Sequence, residues 1–251
     1  MKFLTCNIRR GTADDGINSF EFRAPHLLKK LQAEAPDVAC FQEVMPFVAD
    51  WLTDNLPEYI VVGCGRTAQL DDEQMTVAFR NDKYSLLSME TFWFSPEPHE
   101  PGSRYDNMSN WPRTCTELVL REKATGELFR VCNLHLDHLY DEARVVGVKQ
   151  LMEKLRVPEA FWQAHNIICG DFNATPEEES IRLMDPSYRD ATAESGPTYH
   201  GYGDAAHACK IDYVWVQDDL TYANFSLWDE CHDGVYLSDH YPLCVELQVK
   251  A

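Results

Sequence analysis

The 251-residue chain is 45% hydrophobic and 25% charged, which is ordinary for a globular protein and predicts one domain over residues 1–251. No apolar run approaches the roughly 20 residues that a membrane-spanning helix needs, so we expect no membrane partner. Its 41 acidic and 22 basic residues give a net charge of −19. That charge disfavours a protein that grips long nucleic acid, because such proteins need a basic surface to release counterions.

The start of the chain and its cysteines indicate a cellular compartment. Residues 1–10 lack the basic, apolar and small-residue segments of a signal peptide, so we expect a cytoplasmic protein. The nine cysteines are scattered singly, and no two form a C-x-x-C pair. Their odd number and their places in apolar runs, as at Cys40, Cys132 and Cys169, favour buried thiols over disulfides or a zinc site.

Strands and helices are predicted in alternation along the chain. Short runs rich in β-branched and aromatic residues predict strands at Lys2–Cys6, Val38–Gln42, Tyr59–Val62, Met75–Phe79, Thr116–Arg121, Phe129–Leu136, Asn166–Cys169, Ile211–Val216 and Leu243–Val249. Amphipathic spacing and N-terminal signals predict helices at Glu21–Glu34, Phe47–Asn55, Asp141–Leu155 and Pro176–Met184. The mixture predicts mixed sheets covered by helices, with long loops at 95–113 and 190–210, and loops of this length in a compact domain are often functional.

Polar residues cluster at or just after the ends of these strands. The clusters are Asn7, Gln42-Glu43, Asn133-x-His135-x-Asp137, Gly170-Asp171-Phe172-Asn173 and Ser238-Asp239-His240, and Asp212 adds a carboxylate inside another strand. Carboxylate and carboxamide oxygens suit a hard cation such as Mg²⁺, and histidines beside them can donate to a phosphate oxygen. Any one of these residues alone is more often a loop or turn residue, but their joint occurrence indicates one site.

In their order and wording, these clusters resemble the motif series of the endonuclease/exonuclease/phosphatase superfamily. The resemblance runs from Lys2 to Leu247, and its most specific parts are Gly-Asp-Phe-Asn at 170–173 and Ser-Asp-His at 238–240. The run Leu-His-Leu-Asp-His at 134–138 is similar to a small bacterial branch that itself resembles the deadenylase-like members. The resemblance implies a DNase I-like α/β fold: a four-layer sandwich of two packed mixed β-sheets flanked by helices, with the site at one end.

The resemblance also implies a metal centre and a set of catalytic residues. Glu43 would be the principal metal ligand, with Asn7 and Asp239 near the same cation, for which we expect Mg²⁺ with Mn²⁺ as a substitute. Whether one or two cations bind is left open.

The catalytic roles are likewise implied by the resemblance. Asp171 is expected to orient or deprotonate the attacking water, and Asn173 to hold its geometry. His240, held by Asp212, is expected to face the scissile phosphate, with His135 as a second donor to that phosphate.

For two further residues, Glu73 and Arg113, the sequence leaves two roles open. Glu73 lies where related nucleases place a glutamate that supports the second histidine, and its alternative is an exposed acid in an acidic loop. Arg113 is a candidate phosphate clamp, because a guanidinium can meet phosphate oxygens bidentately, and its alternative is a surface salt bridge.

The expected activity is hydrolysis of a phosphomonoester or phosphodiester by in-line attack of water. A small phosphorylated substrate or a short oligonucleotide is favoured over long duplex DNA, and we expect a monomer. A magnesium-dependent exonuclease or endonuclease acting on RNA or DNA is the alternative within the same superfamily.

Other classes of protein fit the residues less well. A metallo-β-lactamase-type hydrolase has the zinc signature H-x-H-x-D-H, which residues 133–138 approximate, but Asn133 replaces its first histidine. Calcineurin-like metallophosphoesterases need a Gly-Asn-His-Asp motif that the sequence lacks. A catalytically inactive interaction protein on the same fold would be expected to have lost metal and histidine positions that are all occupied here.

Overall fold

Two six-stranded mixed β-sheets form the centre of the molecule in the computed structural model, which describes residues 1–156 and 163–250. The strands are β1 Lys2–Asn7, β2 Val38–Val44, β3 Tyr59–Val62, β4 Gln74–Arg80, β5 Tyr84–Trp93, β6 Thr114–Glu122, β7 Leu128–His135, β8 His165–Asp171, β9 Tyr188–Asp190, β10 Asp212–Gln217, β11 Leu220–Leu227, β12 Cys231–His232, β13 Val235–Tyr236 and β14 Leu243–Val249. The helices are α1 Phe20–Glu34, α2 Pro46–Asn55, α3 Asp141–Arg156 and α4 Glu179–Arg182, with a 3₁₀ turn at Gly16–Asn18.

The strand order of each sheet brings one parallel pair to its centre. The first sheet runs β11-β14-β1-β2-β4-β3, and the second runs β5-β6-β7-β8-β10-β9. Strands β1 and β2 are parallel, as are β7 and β8, while the other pairs are antiparallel. Parallel strands end at the same edge of a sheet, so the polar residues that close each pair come together.

The four layers follow from strands that are apolar on both faces. In β1, Phe3 packs into the core between the two sheets, whereas Leu4 packs under α1 and α2. On the other side of the molecule, Leu134 and Ile168 pack under α3. Helices therefore cover both outer faces, and the expected four-layer α/β sandwich is confirmed.

Asn133 connects the two sheets inside this core. It lies on β7 of the second sheet, and its Nδ2 donates to the carbonyl oxygens of Phe41 (2.9 Å) and Thr76 (3.0 Å) on the first. Its Oδ1 accepts a hydrogen bond from Nε2 of Gln42 at 2.7 Å. Asn133 therefore serves as a structural connection, although the sequence placed it in the same polar cluster as His135.

The expected elements are found at their places, with a few differences. The helix expected over Pro176–Met184 is reduced to α4, because Glu178 bonds back to the backbone N–H of Thr175 at 2.6 Å and holds the preceding residues in a turn. Strands β5, β9, β11, β12 and β13 were not predicted. Most residues of β11 are exposed on its edge, so it lacks the apolar run that marked the other strands.

The cysteines are free thiols, as their scattered pattern predicted, and the helices can be compared with the length that a bilayer requires. All nine cysteines are free, and six of them, including Cys40, Cys132 and Cys169, are buried. Among the described residues, no helix has both the length and the apolarity required to cross a bilayer.

Removing the Asn133 side chain should destabilise the fold. Asn133→Ala leaves two buried carbonyls without their donor, and we expect it to lower the free energy of unfolding by about 3 kcal/mol. Urea denaturation measures this change. The exposed Asn81→Ala is the control and should cost no more than about 0.5 kcal/mol. A loss in Asn133→Ala as small as that of the control would contradict the connecting role.

Candidate active site

The ends of the two parallel strand pairs meet at Asn7. Its side-chain Nδ2 donates to Oε1 of Glu43 at 3.1 Å and to Oδ2 of Asp171 at 3.0 Å. The same nitrogen lies 3.5 Å from Nε2 of His240. Asn7 is buried, and these contacts join residues from β1, β2, β8 and the segment before β14 into one cluster.

A break in the ladder of β2 directs Glu43 into the cluster. The register of β2 against β4 shifts between Phe41 and Val44, and Glu43 has a left-handed φ of 61°. A bulge of this kind re-aims a side chain at the end of a strand. Oε2 of Glu43 accepts a hydrogen bond from the backbone N–H of Arg10 at 2.7 Å, which fixes the carboxylate.

Asp171 is set by a close approach between β7 and β8. Gly170 has φ of 132°, and a Cβ there would lie 2.0 Å from the carbonyl oxygen of Leu134, so only glycine fits. Oδ1 of Asp171 then accepts the backbone N–H of Asn173 at 2.8 Å. The side chain of Asn173 donates to the carbonyl of Leu136 at 3.1 Å, which ties this turn to the end of β7.

His240 and Asp212 form a buried ion pair. Nδ1 of His240 donates to Oδ2 of Asp212 at 2.8 Å, and the same oxygen accepts the hydroxyl of Thr198 at 2.6 Å. Although burial lowers the pKa of His240, the Asp212 carboxylate outweighs it and raises that pKa well above its usual value. The ring of Tyr199 packs edge-on against His240 with centroids 5.0 Å apart. His240 is therefore cationic, with Nε2 directed at the cluster.

Asp239 and His135 complete the inner wall. Burial raises the pKa of Asp239, which lies 3.6 Å from Nη1 of Arg9. Nε2 of His135 is 3.5 Å from Oδ2 of Asp171. Burial, together with the charge of Arg113, lowers the pKa of His135 well below its usual value, so this imidazole is neutral.

Glu73 does not support His135 as expected. Nδ1 of His135 has no hydrogen-bond partner among residues 1–156 and 163–250. Glu73 instead pairs with Nη1 of Arg10 at 3.0 Å and with Nη1 of Arg66 at 2.8 Å. It is also only 5% exposed, so it is not the exposed acid of the alternative reading either. Its observed contacts hold two arginines at the cleft.

Arg113 is buried, so it does not form the surface salt bridge that was the alternative to a phosphate clamp. Its side chain forms no ion pair within 4.0 Å with any carboxylate of the described residues. Its Nη2 lies 2.8 Å from Nδ1 of His138, and burial lowers the pKa of the guanidinium.

These groups line a cleft of about 590 Å³, together with residues that the sequence did not single out. The additional lining residues include Arg9, Arg10, Arg66 and Trp111. The Trp111 ring is 47% exposed, and the guanidinium carbons of Arg66 and Arg10 lie 5.0 and 5.9 Å from its centroid. The available signals were Arg9-Arg10, which follow Asn7 after Ile8, and the Trp111-Pro112-Arg113 loop, whereas Arg66 gave none.

The cluster fits a divalent cation by its chemistry. Ligand atoms of Glu43, His135 and Asp171 lie within 4.8 Å of one another. Burial, followed by the neighbouring Asp212 carboxylate, raises the pKa of Asp171 to about 7. Such crowding of carboxylates favours a bound divalent cation.

Residues 4–240 match the model of the Endonuclease/Exonuclease/phosphatase family. The chain belongs to this family. Its members are hydrolases that act on phosphoester bonds and typically depend on a divalent metal, so the expected enzyme class is confirmed. Family membership also removes the metallo-β-lactamase and calcineurin-like alternatives.

Two solved structures and one curated protein show how far the likeness extends. An endonuclease/exonuclease/phosphatase from Bacteroides vulgatus superposes with a TM-score of 0.91 at 26% identity, over 99% of this chain and 98% of that one. A mannosyl-6-phosphatase from Bacteroides thetaiotaomicron gives 0.89 at 23% identity, over 99% of each chain, and shows the shared fold. The CCR4-Not complex 3'-5'-exoribonuclease subunit Ccr4 of Emericella nidulans is 23% identical over 164 residues, 58% of this chain but only 24% of that protein's length.

Proposed function

We propose that this protein hydrolyses a small phosphorylated compound, a phosphomonoester or phosphodiester, with Mg²⁺ as its cofactor. The observation that carries the proposal is the contact of Asp171 with Asn7, His135 and His240 at the wall of a cleft that also contains Glu43 and several arginines. This arrangement supplies a base, a cationic donor and oxygen ligands within one small volume.

Glu43, Asn7 and Asp239 are the residues that would hold the cation. Their oxygens match the preference of Mg²⁺, with Mn²⁺ as a substitute. When bound, such a cation neutralises the negative charge that develops on the phosphate oxygens.

Asp171 is suited to take the proton of the attacking water. Its carboxylate is held by Asn173 on one oxygen and by Asn7 on the other, so its orientation is fixed before substrate binds. A pKa of about 7, raised by burial and Asp212, is that of a base matched to neutral pH. The water oxygen bonds to phosphorus as its proton passes to Asp171, the ester P–O bond breaks, and the leaving alkoxide takes a proton from solvent water.

His240 and His135 are placed to bind the phosphate oxygens. The ion pair with Asp212 keeps His240 protonated, so its Nε2–H can stabilise the growing negative charge. His135 is neutral and acts as a second, uncharged donor.

The local charge of the cleft favours a small substrate. A net charge of −19 repels a long polyanion, but Arg9, Arg10, Arg66 and Arg113 line the cleft itself. A volume of about 590 Å³ suits a small-molecule ligand. The phosphosugar named for the Bacteroides thetaiotaomicron neighbour belongs to this substrate class.

A nuclease acting on short RNA or DNA is the second candidate. The exposed ring of Trp111 beside two arginines is the feature that favours it, because bases stack on such rings in single-strand binding proteins.

The cytoplasmic location and the monomeric state expected from the sequence stay predictions.

A substrate panel tests the proposed activity. Phosphosugars, p-nitrophenyl phosphate, bis(p-nitrophenyl) phosphate, short oligonucleotides and long duplex DNA are assayed for hydrolysis with Mg²⁺ and with a chelator. We expect small esters to be hydrolysed only with the metal, and Asp171→Asn to be inactive. Cleavage of long duplex DNA in preference to every small ester, at about 0.15 M salt where only local charges act, would contradict the small substrate.

The metal ligand is tested by Glu43→Gln. Losing one carboxylate charge should weaken Mg²⁺ binding about 10- to 100-fold, because that charge makes the largest contribution to an oxygen-ligand site. Isothermal calorimetry measures the affinity, and the exposed Glu58→Gln is the matched control. Equal affinity in the two variants would show that Glu43 is not a ligand.

The ion pair is tested by Asp212→Asn, His240→Gln and the double variant. Each single change should lower turnover about 10²- to 10⁴-fold, and the double should lose little more than the worse single, because the pair acts as one unit. Steady-state kinetics on the best panel substrate measure this. Asp218→Asn, just past the far end of the same strand, is the control. Losses that simply multiply would mean that the two residues act independently.

A further inference from the structure

The arginines that line the cleft are not equivalent in their charge. Three of them are paired with carboxylates: Arg9 with Asp15 and Asp239, and both Arg10 and Arg66 with Asp72 and Glu73. Arg113 has no such pair among residues 1–156 and 163–250, although it is buried, with only 5% of its surface exposed. Arg113 is thus the cation of this set without a direct carboxylate partner among the described residues, and Glu73, Asp137 and Asp171 act on its charge only at longer range.

The carboxylates nearest to Arg113 are engaged elsewhere. Glu73 is held by Arg10 and Arg66. Asp137 accepts three backbone N–H groups, from Ser109, Leu139 and Tyr140, each at 2.9 Å. Within the described residues, Nε of Arg113 is buried without a hydrogen-bond partner. A buried charge without a partner is unfavourable, so this guanidinium is prepared for an anion that comes with the ligand.

His138 supplies a second hydrogen-bond donor beside Arg113. A guanidinium can only donate, so Nδ1 of His138 must accept the 2.8 Å hydrogen bond from Nη2 and carries no proton. The proton of the neutral imidazole is then on Nε2, which makes that atom a donor. Burial and the charge of Arg113 lower the pKa of His138, in agreement with a neutral ring. Both side chains line the cleft.

We propose that Arg113 and His138 form a subsite for the extra anionic oxygen of a terminal phosphate, and that this subsite makes the protein a phosphomonoesterase in preference to a phosphodiesterase. The inference rests on the proposed function and names its substrate class. A monoester carries a charge of about −1.5 to −2 at neutral pH, because its last oxygen ionises with a pKa of about 6. A diester carries up to one charge less, because that oxygen is esterified to a second carbon and cannot ionise.

Selectivity follows from where the additional charge is placed. Phosphates of both kinds can use Asp171, His240 and the cation site. Only the monoester brings a further anionic oxygen to a guanidinium without a direct carboxylate partner, where it can form a charge-assisted hydrogen bond. Paired arginines such as Arg66 gain less, because their charge is already balanced by Asp72 and Glu73.

The first experiment compares p-nitrophenyl phosphate with methyl p-nitrophenyl phosphate, which have the same leaving group. The wild-type ratio of kcat/KM, monoester over diester, should fall about 10- to 100-fold in Arg113→Met, the factor expected for one hydrogen bond to a charged group. Arg113→Lys should recover part of the ratio, and His138→Ala should lower it less than Arg113→Met. Arg104→Met removes the same charge from an exposed position in the same loop and should leave the ratio unchanged.

A binding experiment separates this inference from the proposed function. Methyl phosphate and dimethyl phosphate are titrated calorimetrically into Asp171→Asn protein with and without Arg113→Met, both checked by thermal melting. Methyl phosphate should bind at least about 10-fold more tightly than dimethyl phosphate, and only while Arg113 is present. Because the removed charge has no direct carboxylate partner, Arg113→Met should melt within a few degrees of its parent, about the change expected for one hydrogen bond, that with His138. Arg113→Lys and His138→Ala serve the same comparison if Arg113→Met does not fold.

The outcomes are distinct. A wild-type preference for the diester, or a ratio and binding difference unaffected by Arg113→Met, would overturn the subsite while leaving phosphoester hydrolysis intact. Failure to hydrolyse either ester would overturn the proposed function, and the binding titration would still decide whether Arg113 recognises a monoester phosphate.

Discussion

The hydrogen bond from the Asn7 amide to Asp171 crosses from one sheet to the other, and the geometry of the site depends on it. One sheet supplies Asn7 and Glu43, and the other supplies His135, Asp171 and Asp212. A small sliding of the two sheets would separate these groups. Deeper in the core, the Asn133 hydrogen bonds to the opposite sheet resist the same motion. The interface between sheets is therefore fixed by polar contacts at two depths, in addition to the apolar packing that stabilises it.

Electrostatics explain how an acidic protein can bind an anion. The strand ends concentrate buried carboxylates, and burial raises the pKa values of Asp171 and Asp239. This crowding is unfavourable without cations. His240 provides one positive charge, and the oxygen ligands are arranged for a divalent cation to provide more. The arginines supply a local field of opposite sign, so the charge of the whole chain and the charge that a substrate meets in the cleft are different quantities.

Much of the fold and site could be predicted because both depend on short, local signals. Apolar strands followed by polar residues marked Asn7, Glu43, Asp171 and Asp239 as neighbours, since strand ends in a layered sandwich meet at one edge. Contacts between distant loops gave no such signal. Glu73 lies with Arg66 on the connection between β3 and β4 and pairs with Arg10 from the segment after β1, and Asn133 lies in the apolar core although its side chain is polar. Neither contact has a sequence spacing that would indicate it.

The functional residues also concentrate local backbone strain, which shows where stability is given up for geometry. Glu43 and Asn173 both have left-handed φ angles, 61° and 50°, and Gly170, in β8 where it approaches β7, has a φ that other residues rarely adopt. Each such non-glycine residue costs on the order of 1–3 kcal/mol, which the surrounding packing must offset. The bulge at Glu43 is retained because a regular strand would turn its carboxylate away from Asn7. Since these strained residues are fixed by backbone hydrogen bonds rather than by the substrate, the site is organised before substrate binds, and binding free energy remains available for the reacting phosphate.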